Sequence, residues 1–310
     1  LVSRFYQERN GLYTRSTIDR GIQTHIESLA ERWSNEFNRS DIRNLAILVI
    51  DIPTNQVVAY CGNVHFDRKQ GGSQVDVIQA PRSTGSILKP FLYNAMLQEG
   101  SLLPKMLLPD VPVNINGFTP QNFSMQFEGA VPASEALARS LNIPAVTMLQ
   151  RYGVPKFHHL LQQMGFKTIN RAASHYGLSL ILGGAEATLW DVTNAYAQMG
   201  RSLSSNSPSP TVSQGKEAQI LLETENTEPI NNDTKQTSRN HKSNHNKQEK
   251  REQSNSSPIS VEKDSEETTS ANAGAAWLTL SALTEVNRPE EIDWKSIPSM
   301  QTIAWKTGTS

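Results

Sequence analysis

The stretch that decides the fold runs Pro81-Arg82-Ser83-Thr84-Gly85-Ser86-Ile87-Leu88-Lys89-Pro90-Phe91-Leu92-Tyr93-Asn94-Ala95-Met96. Inside it Ser86 and Lys89 stand three residues apart. On a helix, positions i and i+3 lie one above the other on one face. A helix beginning at the serine therefore brings the lysine amine towards the serine hydroxyl. Ser83, Thr84 and Gly85 are the cap-type or flexible residues that precede a helix start. Pro90 is tolerated in or near a first turn, where a missing N–H costs little. Phe91, Leu92, Ala95 and Met96 supply an apolar run. A serine hydroxyl becomes a useful nucleophile only when a neighbouring base takes its proton. A lysine that is partly desolvated and crowded by other cations can be that base.

The Ser-x-x-Lys spacing alone is not specific. It recurs at Ser213 to Lys216 and at Ser260 to Lys263, both inside a polar tract with no apolar framework. For Ser86 in isolation, a capping serine beside a solvated lysine is the better reading. The rest of the chain changes that balance.

Upstream, residues 16 to 38 predict a helix capped by Ser16 or Thr17, with Asp19 in its first turn. Ile18, Ile22, Ile26, Leu29, Trp33 and Phe37 form one apolar stripe, which predicts packing against a sheet. Residues 45 to 52 are a continuous apolar run, Pro53 to Gln56 are turn material, and Val57 to Gly62 predict a returning strand. A helix feeding an antiparallel hairpin argues for an α+β domain. The single cysteine, Cys61, has no disulfide partner in the chain and reads as a buried structural thiol.

Downstream, residues 98 to 130 carry Gly, Pro and Asn at many points and predict an extended loop region. Ala133 to Leu149 predicts a helix, and 154 to 200 further helices broken at Leu182-Gly183-Gly184-Ala185. His158 and His159 lack a companion at metal spacing and read as structural. From about 201 to 270 the chain is Ser, Asn, Thr, Gln, Glu and Lys. That composition predicts a disordered polar insert, in which His241 and His245 form no metal site. Order is expected to resume at Ala271. The domain expectation is thus a linker over 1–15, a core over 16–200 and 271–310, and an insert between the two parts. Leu1 in place of a methionine, and Ser310 within a strand-like segment, predict a piece of a longer polypeptide. The net charge of −1 gives no electrostatic case for nucleic acid.

Three short motifs follow in order: Ser86-x-x-Lys89, Ser140-Leu141-Asn142 and Lys306-Thr307-Gly308. Ser-x-Asn also ends at Asn206, Asn240 and Asn272, in or beside the polar tract. Lys-Thr-Gly occurs once, after a strand-like Ile303-Ala304-Trp305. The ordered triple is the signature of serine acyl-transferases of the penicillin-binding protein and serine β-lactamase superfamily. Longer blocks extend the likeness: Ala80 to Tyr93, Ser140 to Val146, Tyr176 to Glu186, and Ala304 to Ser310. From about Thr17 to Ser310, the polar tract excepted, the chain resembles the transpeptidase domain of a class A penicillin-binding protein of the 1C type.

That resemblance implies an antiparallel sheet flanked by helices with an all-helical subdomain, here C-terminally truncated. It implies Ser86 as the acylated nucleophile and Lys89 as its proton acceptor. Ser140 would relay a proton to the leaving group, and Asn142 would hold the substrate amide and Lys89. Lys306 would add positive charge near Ser140 and the substrate carboxylate. Thr307, Gly308 and Thr309 would form the strand edge along which substrate lies, and Thr309 would supply an oxyanion-hole N–H together with Ser86. The partners implied are peptidoglycan stem peptides ending in D-Ala-D-Ala, and β-lactams. No metal or organic cofactor is implied. A membrane anchor and a glycosyltransferase domain would lie upstream, and the location would be the periplasmic face of the inner membrane.

Two rivals stand beside this reading. A β-lactamase of the common class needs a Glu-x-x-x-Asn loop that holds a water, and Glu186 is followed at that distance by Trp190 instead. A non-catalytic module would keep the fold and bind partners in its groove, against the intact nucleophile and base.

Overall fold

The computed structural model describes residues 15–64, 74–203, 217–220, 262–285 and 302–309, with the side chains of 262–271 excepted. Helix α1 (Arg20–Phe37) opens the described chain. Its cap is Asp19, whose carboxylate accepts the Ile22 N–H at 2.8 Å. Ser16 and Thr17 do not cap it. Thr17 is taken up by the neighbouring sheet, its hydroxyl donating to Val57 O at 2.6 Å. The apolar stripe is only partly covered. Ile26 packs with Ala30, Cys61 and Val64, while Ile22, Trp33 and Phe37 stay exposed. The sheet beside α1 has two strands among the described residues, too narrow to cover six apolar side chains.

Those strands are β1 (Ile47–Asp51) and β2 (Gln56–Cys61), antiparallel, with a bulge at Val49/Ile50. The hairpin is the one the sequence predicts, turning through Asn55 at φ 55°. A third segment joins it from far along the chain. Gln219 bridges Gln56 in parallel, and its carbonyl accepts the Val57 N–H at 2.8 Å. The expected insert therefore returns to the core at 217–220. Within the same expected insert, helix α8 (Glu262–Thr284) begins nine residues before Ala271. Its Glu-, Ser-, Thr- and Ala-containing start is compatible with helix once an apolar segment downstream is packed. Residues 204–216 and 221–261 lie outside the described residues.

The centre of the molecule is helix α2 (Lys89–Gln98). Seven of its ten residues are buried, Lys89 to Tyr93 together with Ala95 and Met96. A helix apolar on all sides belongs inside a protein rather than on its surface. Around it pack α3 (Ala133–Ala138), α4 (Asn142–Tyr152) and α8. Leu88, Phe91 and Leu92 are among the largest fully buried side chains, each stabilising the fold by about 1.5–3 kcal/mol. Helices α5 (Val154–Gln163), α6 (Ala173–Tyr176) and α7 (Leu189–Arg201) complete the helical part.

Two further strand pairs frame α2. β3 (Arg82–Ser83) pairs with β6 (Glu186–Ala187), and β4 (Leu107–Asp110) with β5 (Gly129–Pro132). The second pair falls in the stretch expected to be loop. Its strands are four residues each, too short and too proline-rich to show an alternating pattern. Among the described residues no helix is long and apolar enough to cross a membrane.

Candidate active site

Ser86 lies in the turn that leads into α2 rather than in the helix. The Lys89 N–H donates to Ser86 O at 3.2 Å, and the Ile87 N–H to Thr84 O at 3.1 Å. The helix starts at Lys89, because Gly85 sits at φ +49° and the chain bends there. Serine and lysine remain one turn apart, as the spacing requires.

The turn is clamped from behind. Thr84 is buried, and both its N–H and its hydroxyl donate to Ala185 O, at 3.0 and 3.2 Å. Ser83 Oγ donates to Gly183 O at 2.9 Å. A Cβ on Gly183, at φ +102°, would fall 2.7 Å from Ser83 Oγ. The small-residue break at 182–185 is therefore a seat for the serine turn. Tyr196 on α7 adds a hydroxyl donating to Ile87 O at 2.8 Å, and its ring tilts against Phe91 at 4.6 Å. Nothing in the local sequence around Tyr196 marks that role, since the contact spans 109 residues.

Lys89 is 1% exposed. Its Nζ donates to Asn142 Oδ1 at 2.7 Å, Ser140 O at 2.8 Å and Leu141 O at 3.2 Å, and lies 3.4 Å from Ser140 Oγ. Burial, and then the charge of Lys306, bring its pKa down to about 6. The oxygens around the amine favour the ammonium and limit that fall, but none carries a full charge.

Ser140 and Asn142 come from a break inside the predicted helix, for which Pro144, in the first turn of α4, is the local signal. The single helix expected over 133–149 is two helices, α3 and α4, separated at Arg139-Ser140-Leu141. Ser140 has φ +57°, a left-handed conformation that a non-glycine residue adopts at a cost of about 1–3 kcal/mol. The strain turns the hydroxyl and the carbonyl of one residue towards Lys89.

The last described segment closes the site. Lys306 Nζ donates to Ser140 Oγ at 2.8 Å, across 166 residues of sequence. Burial lowers the Lys306 pKa to about 8. A Cβ on Gly308 would fall 2.9 Å from Thr84 O, and one on Gly85 2.7 Å from Thr309 N. Residues 308 and 309 thus lie directly along the serine turn, with no room for a Cβ at positions 85 and 308. This segment joins no sheet among the described residues, although its sequence predicts a strand. A strand needs a hydrogen-bonding neighbour, and here the Trp305 N–H reaches a helix instead, donating to Leu283 O of α8 at 3.3 Å. Lys89, Ser140, Asn142 and Lys306 therefore meet in one hydrogen-bonded cluster, and residues 308 and 309 lie against the turn that carries Ser86. Glu186, by contrast, is an exposed residue of the β3–β6 pair.

Comparison with known proteins agrees with this geometry. Residues 45–309 match the penicillin binding protein transpeptidase domain, and the chain belongs to that family. Penicillin-binding protein 1C of Escherichia coli K12 is 38% identical over 186 residues, covering 60% of this chain and 24% of that protein. Penicillin-binding protein 1A of Neisseria cinerea is 29% identical over 189 residues, covering 59% of this chain and 23% of that protein. The chain spans about a quarter of the length of these curated relatives. In fold it is similar to the penicillin-binding protein PonA1 of Mycobacterium tuberculosis. There the TM-score is 0.53 at 22% identity, with 65% of this chain and 55% of that chain covered.

Proposed function

We propose that this chain is the penicillin-sensitive D,D-transpeptidase domain of a peptidoglycan-synthesising enzyme, working through an acyl-serine at Ser86. The observation that carries the reading is the meeting of Lys89 and Lys306 on the Ser140 hydroxyl, beside the turn that holds Ser86.

The neutral Lys89 amine has two N–H donors and one lone pair. Asn142 Oδ1 and Ser140 O, its two shortest partners, occupy the donors; the longer link to Leu141 O lapses with the third proton, and the lone pair takes the Ser86 proton. Ser86 Oγ attacks the carbonyl of the D-Ala-D-Ala bond, and its proton passes to Lys89. Backbone N–H groups of Ser86 and Thr309 would receive the oxyanion, a contribution of about 2.7–4 kcal/mol per donor in comparable sites. The C–N bond then breaks. The leaving amine takes a proton from Ser140, and Ser140 takes one in turn from Lys89, whose amine is neutral again; the charged Lys306 holds the Ser140 hydroxyl throughout. An amine from a neighbouring stem attacks the acyl-serine and gives a proton to Lys89, which passes it to Ser86 Oγ as the ester C–O bond breaks and the cross-linked product leaves. The edge offered by Thr307, Gly308 and Thr309 suits an extended peptide, which pairs through its backbone. β-Lactams would acylate the same serine, since their amide stands in for the donor bond. The site of action would be the periplasmic face of the inner membrane, with an anchor and a glycosyltransferase domain upstream.

Incubating the full-length protein with a fluorescent penicillin tests the reading. A long-lived adduct on Ser86 by mass spectrometry, lost in Ser86→Ala and Lys89→Ala, is expected. Rapid turnover of the label would mark a lactamase, and no adduct a binding module.

A further inference from the structure

We infer that Asn122 and Asp110 are positioning residues of this site, which together fix the attitude of Asn142 and through it the amine of Lys89. The inference rests on the transpeptidase reading above.

Asn142 is the first residue of α4, and Leu141 before it offers no side-chain cap. The N–H groups of a first turn have no partner within the helix. Asn122 supplies one from the loop between β4 and β5. Its Oδ1 accepts the Asn142 N–H at 2.9 Å and the Ile143 N–H at 3.4 Å. The adjacent Gln121 carbonyl accepts Asn142 Nδ2 at 2.8 Å. With its nitrogen end held by a carbonyl, the Asn142 amide must turn its oxygen to Lys89, at 2.7 Å. Reversing it would set donor against donor at Lys89 and acceptor against acceptor at Gln121 O.

Asn122 is oriented in turn. Its Nδ2 donates to Asp110 Oδ1 at 2.7 Å and to Gln126 O at 2.9 Å. The second Asp110 oxygen accepts the Glu128 N–H at 3.0 Å. Both Asp110 oxygens accept from N–H groups, so the amide of Asn122 has one orientation in which every group is paired. Asp110 and Asn122 are 0% and 2% exposed, and water cannot replace a lost partner there. Asp110 thus fixes Asn122, Asn122 fixes the backbone at the start of α4, and from that anchored position the neighbouring Gln121 carbonyl turns the Asn142 oxygen to the reacting amine. Neither residue belongs to the three sequence motifs.

A cap that merely supports α4 would affect the amount of folded protein, whereas a positioning group affects the rate per folded molecule. The test uses the full-length protein and a fluorescent penicillin, with the acylation rate normalised to the titre of labelled serine. Asn122→Ala is expected to slow acylation about 10- to 100-fold, the loss that follows a small misplacement of a reacting group. Asp110→Asn is expected to slow it less. The double variant Asp110→Asn/Asn122→Asp keeps an oxygen toward the two N–H groups and a donor–acceptor pair between positions 110 and 122. It gives up the donor to Gln126 O, so it is expected to recover part of the rate, and both of its substitutions preserve side-chain volume if Asn122→Ala does not fold. Phe157→Leu, a core change on α5, controls for lost stability and should label at the parent rate per titrated serine. A rate within about twofold of the parent in Asn122→Ala, an equal loss in Phe157→Leu, or no recovery in the double variant overturns the proposal. A parent that takes no label at all overturns the transpeptidase reading first.

Discussion

Lys89 and Lys306 address the same atom, Ser140 Oγ, from 3.4 and 2.8 Å. Two amines around one hydroxyl cannot both be comfortably charged, and the buried one yields. Lys89 goes down to about 6 through burial and then the neighbouring charge, and Lys306 to about 8 through burial. Near neutral pH this pair holds a base and a cation side by side, which is what acyl transfer to serine needs.

Acylation should therefore follow a bell. The rate rises as Lys89 loses its proton through about pH 6, and falls as Lys306 loses its charge above about pH 8. The two limbs belong to the coupled pair. Lys306→Arg keeps the cation and should move the alkaline limb upward. Lys306→Met removes the like charge, so the Lys89 amine becomes more basic and the acid limb moves up. Labelling rates across pH check both shifts, and an unmoved acid limb in Lys306→Met would refute the coupling.

Ser140 separates stability from activity. Ser140→Gly relieves the φ of +57° and should leave the melting temperature equal to or above the parent's. It also removes the hydroxyl shared by both lysines, so acylation should fall about 10²- to 10⁴-fold, the range for a lost proton-transfer group. Ser140→Ala should lose as much rate without the gain in stability. Melting curves beside labelling rates decide this.

Gly85→Ala should damage both properties. Its φ is +49°, and a Cβ would meet Thr309 O at 2.6 Å. The backbone strain alone costs about 1–3 kcal/mol. Because the clash pushes the 308–309 segment off the serine turn, labelling should drop at least about tenfold, as misplacement of reacting groups does. Parent-like labelling would mean that the segment does not need this contact.

Tyr196→Phe keeps the ring against Phe91 and deletes the donor to Ile87 O. A carbonyl left without its partner costs about 1–3 kcal/mol. A lower melting temperature is expected, with a rate reduction below that of Asn122→Ala. Equal melting would show that the turn is held by Ser83 and Thr84 alone.

The residues themselves determined the order of the three motifs, the hairpin of β1 and β2, and the buried α2, because these depend on spacing and local chemistry. They did not place the break at Ser140: Pro144 is the kind of residue that marks a first turn, but the left-handed turn that makes the break is set by the fold. Nor did they reveal β4, β5 and the Asp110–Asn122 chain, since four-residue strands carry no periodicity and hydrogen bonds across 12 to 20 residues leave no pattern. Tertiary structure alone decided that Lys306 returns across 166 residues to the hydroxyl of Ser140. The geometry of a reacting group is set by what packs behind it, and packing partners distant in sequence are chosen by the whole fold.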